Sequence, residues 1–123
     1  MNYYVVGFLV GLGKKKRAAQ TDTWRDLRSL AYFGLCDSER NQAHFELAVG
    51  YCQKSLAYDP NDPYAHYALA LCYARLAQAS GSLETLSAAA KHFRAMLDLN
   101  GDIDEAQYAR ANLKSIEPLL AAK

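Results

Sequence analysis

The chain has 123 residues, of which 51% are hydrophobic and 22% charged, with a formal net charge of +1. That length suits one core, and the dominance of Ala and Leu over β-branched residues argues for helices and against a strand-based fold. Four positive charges are consecutive, Lys14 to Arg17, so the rest of the chain carries a net of −3, which speaks against nucleic-acid binding by the body.

In chain order, the first twenty residues are set apart from the remainder, 21–123. Tyr3 to Leu12 form an apolar run, with Gly7 and Gly11 four apart, followed at once by Lys14-Lys15-Lys16-Arg17. Apolar residues before cations resemble the end of a membrane span with its cytoplasmic flank. As a helix, however, Met1 to Gly13 would reach only about 20 Å, against roughly 30 Å of hydrocarbon. A secretory signal would carry its charges first. Three readings stay open: an interfacial anchor or truncated span, with Lys14, Lys15, Lys16 and Arg17 on an anionic membrane surface; a segment folded onto the helical body; or a disordered tail. No phosphate-binding loop is present, because Gly13-Lys14 has no glycine five residues earlier and is followed by Lys15.

Thr21-Asp22-Thr23 marks a helix start, and Trp24, Leu27, Leu30, Ala31 and Leu35 recur at helical spacing, predicting a helix over about 23–36. Asp37-Ser38 is read as a turn and N-cap. A second apolar stripe, Ala43, Leu47, Ala48, Tyr51, Cys52, Ser55 and Leu56, then runs to about Tyr58. Asp59-Pro60-Asn61-Asp62-Pro63 breaks that helix, because Pro60 lacks a donor, Asp62 suits an N-cap and Pro63 a first helical position. A third helix is expected over 63–79. Ser80-Gly81-Ser82 turns the chain into a fourth, to about Leu99, whose Leu83, Leu86, Ala90, Phe93, Met96 and Leu97 share one side. Asn100-Gly101 stops it. Asp102 or Asp104 opens a fifth helix carrying Ala106, Ala109, Leu113, Ile116 and Leu120, with Pro118 expected to end or kink it.

A helical run that ends in Leu-x-x-Asp-Pro-Asn-Asp, as Leu56 to Asp62 does, resembles the close of a tetratricopeptide repeat. The pattern returns 41 residues on, where Ala89 matches Ala48, Leu97 falls near Leu56, and Asn100-Gly101-Asp102 stands in for the Asp-Pro turn. Leu69-Ala70, Tyr73, Ala89 and Phe93 fall at the family's large and small packing stations. Ala70 and Ala89 lie 19 residues apart, about seven more than the usual 34-residue unit allows, and seven residues are about two helical turns. Lengthened helices, not a loop insertion, therefore fit best. In the first hairpin two registers compete. A 41-residue shift pairs Tyr32 with Tyr73 but sets Arg28 against Leu69; a 39-residue shift pairs Leu30-Ala31 with Leu69-Ala70 but sets Gly34 against Tyr73.

The resemblance implies an all-α fold of antiparallel hairpins stacked as a short α-solenoid with a C-terminal capping helix. It also implies a non-enzymatic adaptor that binds a peptide or protein segment in a concave groove. By the family's geometry Tyr64, Tyr67, Leu71 and Ala74 would line that groove. The alternative is a structural subunit of a permanent complex or homo-oligomer. No catalytic, metal or cofactor site is expected. His44, His66 and His92 fall on three different helices and read as surface or groove-edge residues. Ser29, Ser38, Ser80 and Ser82 lack a nucleophile elbow. Asp102-x-Asp104 lacks the remaining calcium-loop ligands. Cys36, Cys52 and Cys72 stand singly in helical patterns without C-x-x-C spacing. They read as buried reduced thiols, consistent with a reducing, cytoplasmic compartment or the cytoplasmic face of a membrane.

Flotation with anionic vesicles separates the readings of the N-terminus. A full-length chain that floats beside a soluble chain starting at Ala18 marks an anchor; two soluble chains favour the folded-on segment.

Overall fold

The computed structural model describes residues 23–122. Five α-helices follow one another: α1 Thr23–Asn41, α2 Phe45–Tyr58, α3 Pro63–Ser80, α4 Leu83–Leu99 and α5 Ala106–Ala121. Each packs on the next, α1 on α2 through to α4 on α5, and α1 also touches α3. This is an all-α stack of antiparallel hairpins.

Local chemistry explains most boundaries. At the start of α3 the Asp62 carboxylate accepts the Tyr64 N–H at 2.9 Å, and Pro63 occupies the first turn. At its end Gly81 adopts φ 74°, a left-handed conformation that glycine tolerates without cost, and its N–H closes on Ala77 O at 2.7 Å. The Ser82 hydroxyl then caps α4 through the Thr85 N–H at 3.1 Å. Only Gly81 and Ser82 separate helices of 18 and 17 residues, so the extra residues of this hairpin lie in its helices.

Two boundaries differ from expectation, and at Pro118 one of two alternatives falls away. Asp37-Ser38 does not turn the chain: α1 continues to Asn41, held by the Asp37–Arg40 ion pair one turn apart. It stops where Ala43 takes φ 63° and the His44 N–H reaches back to Glu39 O at 2.8 Å. The last helix opens at Ala106 and not at Asp102 or Asp104, since residues 101–105 form turns, with Asp102 N–H bonded to Asn100 Oδ1 at 3.0 Å. Pro118 does not end α5, which runs on to Ala121.

Two buried clusters fill the stack. The first joins Cys36, Ala48, Cys52, Ala68, Leu69 and Cys72 across α1, α2 and α3. The second joins Ala70, Ala89, Ala90, Phe93, Met96, Ala106, Ala109, Leu113 and Ile116 across α3, α4 and α5. Alanines at these crossings bring helix backbones close, and the large side chains Phe93, Leu69 and Met96 fill the space between. Burial also settles the register. Ser29, Cys36, Ala48, Cys52 and Ser55 are buried, and the residues 41 positions later, Ala70, Ala77, Ala89, Phe93 and Met96, are buried too. Where the second hairpin places Ala70 and Met96, the first has a polar pair: the Ser29 hydroxyl donates to Ser55 O at 3.1 Å and the Ser55 hydroxyl to Ser29 O at 2.8 Å. Each buried hydroxyl is thereby satisfied.

The cysteines are not all reduced. Cys36 and Cys52, 16 residues apart, form a disulfide between α1 and α2 with their Cα atoms 5.3 Å apart. A loop of that size contributes on the order of 3 kcal/mol by restricting the unfolded chain. The argument for a reducing compartment falls with it. Cys72 alone stays a thiol, and burial pushes its pKa up to about 11, so it is protonated and inert at neutral pH.

Leu113 sits in the second cluster, 8% exposed. Leu113→Asp is expected to cost about 3 kcal/mol or more as an unpaired buried charge. Thermal unfolding measures it, and an unchanged melting temperature would mean that α5 does not dock on α4.

Candidate functional site

The predicted groove residues lie along α3 and differ in what they can offer. Tyr64 is 40% exposed. Tyr67, Leu71 and Ala74 are half-buried and rest on the second core cluster, the Tyr67 ring meeting Phe93 edge-on with centroids 6.1 Å apart. They therefore serve the hairpin as well as any groove.

What surrounds the Tyr67 hydroxyl is more informative. Its pKa is raised, first by burial and then by the negative field of Glu105, while Arg40 pulls it down and Tyr108 adds a smaller upward push. Groups from α1 and the start of α5 therefore act on one hydroxyl of α3. Arg40 reaches the same region from the end of α1 and also opposes, without cancelling, the burial-driven rise in the Cys72 pKa. One of its terminal nitrogens is bound to Asp37, whereas its Nε is buried and has no hydrogen-bond partner among the described residues. Tyr108, on α5, is exposed. The side of α3 that carries Tyr67 is thus flanked by a cation and by a second, exposed tyrosine. Sequence reasoning missed Arg40, because its placement depends on α1 running a full turn past Cys36.

A second constellation joins residues that the sequence dispersed. His66 on α3 and His92 on α4 meet Nδ1 to Nδ1 at 2.9 Å, with stacked rings 5.1 Å apart. His66 Nε2 lies 2.9 Å from Pro60 O. A carbonyl only accepts, so His66 carries its proton on Nε2, and its Nδ1 accepts from the Nδ1–H of His92. Tyr73 stacks on His92 at 5.9 Å and receives a hydrogen bond from Gln53 Nε2 on α2 at 3.0 Å. The chain Gln53, Tyr73, His92, His66, Pro60 ties α2, α3, α4 and the inter-hairpin turn together. The two histidines are thus paired and half-buried, not separate surface residues. His44 is exposed at the α1–α2 turn, 2.7 Å from Glu39.

Lys14, Lys15, Lys16 and Arg17, with the apolar run before them, lie outside the described residues. Among the described residues no helix is long and apolar enough to cross a membrane.

The family model described as Tetratricopeptide repeat matches residues 51–108, from the middle of α2 into α5. The match covers just under half of the chain and, with the packed helix pairs and the 41-residue register, supports assigning the chain to the tetratricopeptide repeat family. No curated protein matches it. Repeats of this family generally mediate protein–protein interaction and are typically non-catalytic.

Burial first, then His66 and Lys91, hold His92 at a pKa of about 4, below the ordinary 6.5. The unfolded chain therefore binds a proton at His92 where the folded chain does not, and stability is lost as the pH falls from 6.5 towards 4. Melting temperatures across that range are expected to fall more steeply for the native protein than for His92→Phe, which keeps a ring but cannot titrate. Equal slopes would show that His92 is not the source.

Proposed function

We propose that the chain is a non-enzymatic interaction module that takes a peptide or protein segment along the side formed by α1, α3 and the start of α5. The carrying observation is that exposed Tyr64 stands one turn from half-buried Tyr67 on α3, and that Arg40, Glu105 and exposed Tyr108 all act on the Tyr67 hydroxyl. Tyrosines offer apolar area at small entropic cost and a hydroxyl handle, and arginine is the other residue type over-represented in binding hot spots. Arg40 and Glu105 add charges of opposite sign to that side, which suits a segment with both an acceptor group and a cation. Leu71 and Ala74 supply the floor between these groups. The family's general role agrees with this reading, and the groove itself is our assignment.

Attachment to a membrane is not included, because it rests on the order of residues 3–17 alone. A permanent subunit or homo-oligomer would use the same apolar area differently, and the aromatic positions discriminate. Partners are identified by co-purification with tagged protein and mass spectrometry, then titrated against variants. Tyr64→Ala, at an exposed site, is expected to leave the helical circular-dichroism signal intact and weaken the partner by about 2 kcal/mol. Tyr67→Phe keeps the contact with Phe93 and removes only the hydroxyl, so it too is expected to stay folded. Undiminished affinity in Tyr64→Ala removes the groove; loss of fold or of oligomer in that variant supports the structural-subunit reading.

A further inference from the structure

The first helix displays a face that its counterparts bury. In α3, Ala68 and Cys72 are buried in the cluster that contains Ala48 and Cys52 of the preceding helix α2. The residues 41 positions later, Ala109 and Leu113 of α5, are buried in the cluster that contains Ala89, Phe93 and Met96 of the preceding helix α4. The same two stations therefore dock a helix onto its predecessor twice. Moving 41 positions the other way gives Leu27 and Ala31 of α1, and both are exposed, Leu27 at 39%. Leu30, 52% exposed, and Leu35 extend the patch along α1, and Gly34 within it has open space where a Cβ would stand.

The same arithmetic names an occupant. Stepping back 41 residues from Phe45–Tyr58, which form α2, gives Tyr4 to Arg17, and from the connection 59–62 it gives 18–21. The apolar run thus begins at the position that a preceding helix requires and is joined to α1 by the same length of chain. Its residues fit the stations: Gly7 and Gly11 fall where α2 has the small buried Ala48 and Cys52, and Phe8 where α2 has Val49. The match ends at Lys14, which falls at the place of buried Ser55, so the cations are left out of the docking segment.

We propose that residues 4–13 dock on the Leu27 and Ala31 face of α1, in the place that α2 takes on α3, and so cap the N-terminal end of the stack. A second copy of the chain is a poorer occupant, because residues 4–13 are already tethered to α1 by a connection of the length that joins α2 to α3. A tether of a few residues supplies about millimolar effective concentration.

The test is amide hydrogen exchange of the full chain in lipid-free buffer. Amides of residues 4–13 are expected to exchange at least about tenfold more slowly than an unstructured chain, with no change on dilution. Leu27→Glu with Ala31→Glu, both at exposed positions, is expected to abolish that protection while the amides of α3 and α4 keep theirs. Should that variant lose its helical signal, Gly7→Leu with Gly11→Leu decides, since it leaves 23–122 untouched. It makes the run more apolar and more helix-prone but blocks close approach, so docking predicts faster exchange and a membrane anchor predicts stronger vesicle binding. Exchange at unstructured rates in the native chain, protection that falls on dilution, protection that appears only with anionic vesicles, or protection that survives in the Leu27/Ala31 variant would each overturn the proposal.

Discussion

Close approach of helix backbones at small residues is the constraint on which this structure depends. Alanine recurs at the crossings, Ala48, Ala68, Ala70, Ala89, Ala90, Ala106 and Ala109, all essentially inaccessible. A larger side chain at any of them would push two helices apart and open the space that Phe93, Leu69 and Met96 now fill. Because the small stations repeat every 41 residues, the second hairpin and α5 pack by one rule, and the helices stay in register although the repeat is longer than the usual 34-residue unit.

The polar interior follows from the same geometry. Where two helices approach closely, a side chain with a donor must find its acceptor across the seam, and the two hairpins solve this differently. Ser29 and Ser55 exchange bonds with each other's carbonyls in the first. In the second, His66 and His92 pair through their Nδ1 atoms and anchor to the Pro60 carbonyl. The first hairpin adds the covalent Cys36–Cys52 tie, and the second relies on a larger apolar cluster. Firm hairpins leave the side of α3 facing α1 and α5 able to present Tyr64 without threatening the fold, whereas Tyr67 is committed to both.

Much of this was legible in the residues. The stripes of α2, α3, α4 and α5, the Asp-Pro turn capped by Asp62 and the glycine stop at Gly81 are local signals, and each appears where expected. The 41-residue repeat was legible too, although Arg28 opposite Leu69 made the first hairpin ambiguous. Burial explains that mismatch: Leu69 contacts a preceding helix, and Arg28, exposed on α1, has no described one. The candidate site was half legible. Tyr64 and Tyr67 were named through the family's geometry, but Arg40 was not, because reading Asp37-Ser38 as a turn ended α1 before it.

The sequence by itself determined the helical class, the number of helices, the repeat spacing and the chemistry of the turns, since periodicity and capping act within a few residues of chain. Only the tertiary structure decided which distant residues meet. The Cys36–Cys52 bond, the His66–His92 pair and the field of Arg40 and Glu105 on Tyr67 each require the rotational phase and axial offset of two packed helices. Those two quantities are set by summed side-chain packing along the seam, and no short stretch of sequence carries them.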